Sequence, residues 1–420
     1  MEIVTGGVTT GENFFYARRK ELEELHRLLN ANDVLVLGPR RTGKTSLIKE
    51  YLIEFSRESN LKPYLYLSLE DTKSLYQFYV RVIREVLAVT SKRGLLVDKT
   101  TEFVREACSK LSEGLKGKIT LTPDLLGSDV ESAIELKFPT FEKKTIDALQ
   151  AQLRAILEKV TTPLVIVLDE FPEIIFKFDE ASRVENTNLL MGGLRALRQK
   201  LNFDDKKHHQ IIIAGSINLQ TTLSSLNLSD TINDLIQMKI PNLIPGECSE
   251  LLLKLGEGAD FAYTRLDAAS DFVKKQFGYC TPFYIQLFAD NLRSIKRSRQ
   301  INQFDETHLA DAYKILVTGE RGPNYFLKRL ENSDYYSDAD KGPALRLLSS
   351  IAKNQSEGGA ATNDEQIKDL LPEHLVRSKL VQKMVCDDFI QITDGGKFWF
   401  ECQLVCNYWN FTLNGGSFLI

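Results

Sequence analysis

The feature that most restricts what this chain can become is one octapeptide, Gly38, Pro39, Arg40, Arg41, Thr42, Gly43, Lys44 and Thr45, which satisfies G-x-x-x-x-G-K-[ST]. It follows DVLVLG, a continuous apolar run ending on a glycine, which is how a strand buried on both faces of a parallel sheet reads. It precedes SLIKEYLIEF, whose apolar positions recur at helical spacing. In a strand-loop-helix of this kind, successive backbone N–H groups curl around phosphate oxygens and the helix N-terminus adds its positive end. Gly38 to Ser46 are therefore expected to cradle a nucleoside triphosphate, with Lys44 reaching the β- and γ-phosphates and Thr45 ligating Mg2+.

A second apolar run, PLVIVLDE from Pro163 to Glu170, closes on two carboxylates and delivers them at the carboxyl edge of a sheet, where ligands of open α/β folds bind. In such a site Asp169 is expected to hold the metal shell and Glu170 to orient and deprotonate an attacking water. The alternative is an N-cap cluster ahead of a helix starting near Phe171. A third run, QIIIAGSI, places Ser216 at a strand end, as a sensor of the γ-phosphate or as an ordinary turn serine. With KPYLYLSLED as a further strand, the chain reads as an α/β P-loop NTPase: a parallel sheet of about five strands, the acidic strand separated from the loop strand by an intervening one.

The 420 residues suffice for two or three domains, and 43% hydrophobic with 26% charged residues excludes disordered and fibrous classes. A net charge of -4 gives no general attraction to nucleic acid or anionic membrane. No apolar run is long enough to span a bilayer and the opening MEIVTGGVTTGENFFYARRK lacks signal-peptide character, so a cytoplasmic protein with no membrane partner is expected. The cysteines at 108, 248, 280, 386, 402 and 406 form no metal-ligand spacing and are expected to be reduced, buried thiols.

Taken in order, GENFFYARRKELEELHRLL, GPRRTGKTS, VIVLDEFPEI and IIIAGSI resemble the prokaryotic AAA+-related ATPases of the archaeal or STAND-like type. The resemblance implies ATP as the nucleotide, adenine-side contacts from the segment containing Phe15 and Arg18, and a helical lid in which FGYCTPFYIQLF brings Pro282 near the base. It also implies a C-terminal winged helix. Two departures stand out: Ala17 occupies the glycine position of the adenine-side segment, and Gly278 lies one residue further from Pro282 than in the usual lid motif.

The expected organisation is an ATPase domain over 1–240, a helical lid over 241–340 and a winged helix-turn-helix over 341–420. A β-hairpin insertion near 115–140 is read from the alternating GKITLTPD and SAIELKF. The basic run Arg293, Lys296, Arg297 and Arg299 reads either as a phosphate-facing patch or as a solvated helix end. Arg377, Lys379 and Lys383 fall on the helix that would read DNA, yet residues 341–420 carry eight basic against nine acidic side chains. Arg195 or Arg198 could reach a neighbouring subunit's phosphates, while Arg40 and Arg41 could serve them in cis or pack on the loop's outer face. The function expected is a slow, Mg-dependent ATP-hydrolysing switch that signals to a partner protein or assembles into a homo-oligomer. The alternative is an ATP-dependent duplex-DNA binder of the origin-recognition or transposition-regulator type.

Overall fold

Val34–Leu37 form β1, and all four side chains are buried, as a strand covered on both faces requires. In the computed structural model, which describes residues 1–11, 16–58, 63–92, 143–160, 162–201, 209–215, 218–331, 336–358, 362, 365–367, 371, 374–393 and 396–415, four further strands join it. They are β2 (Tyr64–Ser68), β3 (Val165–Asp169), β4 (Gln210–Gly215) and β5 (Ile236–Lys239), in the order β2-β3-β4-β1-β5. Every pairing in this sheet is parallel. The expected five-stranded sheet is present, and β4 is the strand between the acidic and loop strands. β5 is the one that periodicity does not announce, because only Met238 of its four residues is buried, as befits an edge.

The period-two alternation of the strands divides the interior. Val34, Val36, Val165, Val167, Ile212 and Ala214 face α1 (Arg19–Leu29) and α2 (Lys44–Glu58). Leu35, Leu37, Ile166, Leu168, Ile211 and Ile213 face the opposite layer. That layer holds α3 (Leu75–Lys92), α4 (Lys143–Glu158), α5 (Phe171–Phe176), α6 (Arg183–Leu201) and α7 (Asn218–Ser225). The β-hairpin expected near 115–140 lies outside the described residues.

Beyond the sheet come α8 (Pro245–Gly258), α9 (Leu266–Phe277), α10 (Pro282–Arg299), α11 (Glu306–Thr318) and α12 (Asn324–Glu331). Pro245 and Pro282 open α8 and α10, Pro323 precedes α12, and Gly278 and Gly319 lie just past α9 and α11. Two short strands, β6 (Ala262–Tyr263) and β7 (Gln303–Phe304), tie these helices together in parallel. Then follow α13 (Asp338–Ser356), α14 (His374–Cys386), an antiparallel ribbon of β8 (Gln391–Ile392) and β9 (Phe398–Trp399), and α15 (Gln403–Asn414). One apolar core runs continuously from Leu243 through Phe277, Phe288 and Tyr313 to Leu347 and Trp409. Among the described residues, no helix is long and apolar enough to cross a membrane.

Candidate active site

The phosphate loop leaves β1 at Gly38, where a Cβ would stand 2.7 Å from the Ile240 carbonyl oxygen, so only glycine lets the two backbones approach. Two residues of the loop adopt left-handed backbone, Arg41 with φ 68° and Gly43 with φ 93°. Lys44 is buried, and its Nζ donates to the carbonyls of Gly38 at 3.0 Å and Pro39 at 2.8 Å. Burial lowers the pKa of that amine, while the carboxylates of Glu170, Asp169 and Asp388 oppose the fall. An ammonium satisfied, among the described residues, by its own loop's carbonyls is placed to exchange them for phosphate oxygens.

Across the sheet edge, Asp169 closes β3. Its Oδ2 accepts hydrogen bonds from Thr45 Oγ1 at 2.7 Å and from the Tyr66 hydroxyl at 2.5 Å, and its Oδ1 accepts from the Glu170 N–H at 2.9 Å. Thr45 and Asp169 thus meet as expected. Tyr66, on β2, is an addition: the parallel pairing of β2 with β3 places Ser68 opposite Asp169 and Tyr66 two residues before it, a neighbourhood that no local pattern reveals. Glu170 sits in left-handed backbone, φ 53°, at the turn into α5, and its side chain makes no capping hydrogen bond. The N-cap reading of Glu170 is therefore not what the turn does. Burial first, then the adjacent Asp169, raises the Glu170 pKa, which strengthens its carboxylate as a proton acceptor.

The arginines divide by partner. Arg40 pairs with Glu173 of α5, so it fastens the loop to the acidic strand's helix. The Arg41 guanidinium lies over the Phe283 ring at 4.0 Å and the Tyr325 ring at 4.7 Å, joining the loop to α10 and α12. Arg198 is fully buried and grips Asp234 with two nitrogens, at 2.8 and 2.9 Å, and the Thr231 carbonyl. An arginine so enclosed cannot reach a second subunit, which removes it as a finger. Arg195 pairs with Asp230 at 3.1 Å near the surface. Arg18, expected beside adenine, is buried instead under the loop, where it donates to the Thr42 carbonyl at 3.3 Å and the Pro241 carbonyl at 2.7 Å. Pro282 begins α10 at its first turn. Phe15 and Ser216 lie outside the described residues.

The N-terminal stretch was unexpected here. Thr9 donates through its N–H to Ser46 Oγ at 3.1 Å, Gly11 N–H donates to Glu50 Oε2 at 2.6 Å, and Val4 N–H to Gln286 Oε1 at 2.9 Å. Ser46 is thereby engaged by the chain itself, and residues 4–11 strap α2 to α10.

The C-terminal segment also approaches. Asn242, Thr281, Asp388 and Glu401 line one cavity, with Asn242 Nδ2 donating to Glu401 Oε2 at 2.8 Å. Burial, then the Glu401 charge, pushes Asp388 up to about 7. Among the basic groups, Arg293 pairs with Asp290, Lys296 with Asp260 and Arg299 with Asp311, as a solvated helix end does. On the helix that would read DNA, Lys379 is exposed, and Lys383, its side chain 39% exposed, lies with its Nζ 4.3 Å from the Tyr336 ring centroid and 3.8 Å from Asp340. The Arg377 side chain lies outside the described residues.

A phosphate loop and an acidic strand separated by one strand of a five-stranded parallel sheet define a P-loop ATPase. The chain belongs to the family described as an ATPase domain predominantly from Archaea, whose pattern matches residues 15–234. It is an ATP-binding, ATP-hydrolysing protein of that family. Among solved structures it is similar to a Walker-type ATPase of Pyrococcus abyssi, with TM-score 0.61 and 14% identity, covering 98% of this chain and 100% of that one. It is also similar to the ORC2 protein of Aeropyrum pernix, with TM-score 0.52 and 13% identity over 96% of this chain and 98% of that one. At these identities the likeness is one of fold. No curated protein matches the sequence.

Proposed function

We propose that this ATPase is a molecular switch, in which ATP bound at the phosphate loop sets the packing of the helices beyond Pro241 and slow hydrolysis through Glu170 resets it. The observation that carries this reading is Arg41, whose backbone belongs to the loop and whose guanidinium rests on Phe283 and Tyr325. Phosphates that displace the carbonyls now held by Lys44 would reshape the loop, shift that cation, and move the seat of two helices. Thr45 and Asp169 supply the hydroxyl and carboxylate oxygens that Mg2+ takes, and when bound the ion neutralises charge on the phosphates. Glu170 accepts the proton of the attacking water, Lys44 faces the β- and γ-phosphates, Ser216 reaches the γ-phosphate, and Phe15 and Pro282 flank adenine. In this reading residues 1–240 are the motor, 241–340 the lid and 341–420 a winged helix that faces a partner protein or a second copy in the cytoplasm. The excess of acidic over basic side chains in 341–420 favours a protein-facing role over a groove-reading one.

Three measurements test it together: nucleotide binding, turnover, and hydrogen exchange of α10 and α12 with and without nucleotide. Lys44→Ala should weaken binding, whereas Glu170→Gln should keep binding and lower turnover by about 10²-fold or more. Equal loss of binding in both variants would overturn the roles assigned. Identical exchange in α10 and α12 with and without ATP would remove the switch. Turnover strongly stimulated by duplex DNA, with the stimulation fading as salt rises, would replace the protein partner with DNA.

A further inference from the structure

Cys280 and Cys402 are separated by 122 residues, yet their Sγ atoms lie 3.3 Å apart. Cys280 stands two residues before the start of α10, and Cys402 is the N-cap of α15. The approach is set by backbone rather than by side chains alone: Gly278 bridges to Cys402 in antiparallel fashion, and Leu243 bridges to Cys280 from the other side. Cys280 is fully buried, while Cys402 is partly exposed. The other two described thiols lie close enough to feel Cys402 electrostatically, but each hydrogen-bonds to a backbone carbonyl. Cys248 Sγ lies 3.7 Å from the carbonyls of Leu243 and Gly278, and Cys406 Sγ lies 3.7 Å from that of Ala352. A formed disulfide has sulfurs about 2.0 Å apart, so closure needs the two to approach by about 1.3 Å.

We propose that Cys280 and Cys402 are a redox modification site, closing reversibly into a disulfide that staples the start of α10 to the start of α15. The oxidant is a hydroperoxide. The exposed Cys402 attacks as thiolate on one peroxide oxygen; the O–O bond breaks, water or an alcohol leaves with a proton from solvent, and Cys402 becomes a sulfenic acid. The Cys280 sulfur then attacks the Cys402 sulfur; the S–O bond breaks, the S–S bond forms, and the hydroxyl leaves as water with the Cys280 proton. Two electrons pass from the two thiols to the peroxide, and a dithiol reductant reverses the bond by exchange. Burial raises the Cys280 pKa, which suits the resolving rather than the attacking thiol. Because Thr281, Pro282 and Phe283 follow Cys280 directly, the staple would fix the C-terminal helix to the segment on which Arg41 rests.

The full chain treated with hydrogen peroxide, alkylated and digested without reductant is expected to yield one cross-linked peptide pair joining Cys280 to Cys402. Titration should show a loss of both thiols, restored by dithiothreitol. Cys280→Ser should stop the reaction at the sulfenic acid, trapped by dimedone at Cys402. Free alkylation of both thiols after peroxide, a bond through Cys248 or Cys406 instead, or no dimedone adduct at Cys402 would each overturn the proposal. These readouts stand whether or not the protein acts as a switch.

Discussion

Asp388 is a residue whose behaviour depends wholly on where the chain puts it. The groups that bear on it are Glu401, the Gln391 amide that donates to it, Lys44 and Arg329, and burial outweighs them all. A carboxyl whose pKa is about 7 in the fold and about 4 unfolded binds a proton on folding. Its contribution is therefore full below about pH 4 and fades as pH rises through the folded value. Asp388→Asn is expected to flatten the stability profile between pH 5 and 7.5 and to leave the protein more stable than wild type at pH 8, as denaturant unfolding across that range would read. Tyr66 offers a second test at this scale. Tyr66→Phe removes one of the two side-chain donors to Asp169 Oδ2, and a hydrogen bond to a charged acceptor is worth about 1.5 kcal/mol. The Mg2+ concentration needed for tight nucleotide binding should rise about tenfold, measured by nucleotide titration at graded Mg2+. Metal-free nucleotide binding should not change.

Elements here are joined by buried charge as much as by apolar faces. Arg329 on α12 pairs with Asp387, just past α14, at 2.8 Å, both side chains 5% exposed, and the Tyr336 hydroxyl donates to the other Asp387 oxygen at 2.9 Å. Arg329→Ala would leave that carboxylate buried without its cation, at a cost of about 3–5 kcal/mol, which chemical denaturation would measure. Most elements were legible beforehand. β1, β3 and β4 read directly because a strand buried on both faces must be apolar at every position. The helices beyond Pro241 read where a proline opens them, as at Pro245 and Pro282, or a glycine closes them, as at Gly278 and Gly319. β5 did not, since it is four residues long with only Met238 buried, whereas β2 at the other edge is five residues of clear alternation. β6 and β7 did not either, for two residues hold no period at all.

For the whole molecule, the shared interior decides which parts can stand alone. Leu243 to Trp409 form one apolar core, so the helices from 245 to 331 and those after 338 each leave an uncovered face without the other. A fragment of residues 241–420 is expected to unfold in one cooperative transition, whereas 241–337 alone should lose defined packing; thermal unfolding followed by near-ultraviolet circular dichroism would tell them apart.

The sequence by itself determined the nucleotide chemistry and the sheet that presents it. Gly38, Gly43, Lys44, Thr45, Asp169 and Glu170 are adjacent in short, strongly patterned runs, and backbone geometry at such spacing leaves little freedom. Only the tertiary structure decided what surrounds them. Tyr66 beside Asp169, Arg41 on Phe283 and Tyr325, Thr9 on Ser46 and Cys280 against Cys402 are all contacts between distant segments. It also decided against Arg198 as a finger, by burying it, and placed Arg18 on the Thr42 and Pro241 carbonyls. A local pattern records the turn, period and burial of its own segment. Which charged or polar side chain meets which is set by packing, where the cost of leaving a buried group unpaired selects partners far apart in the chain.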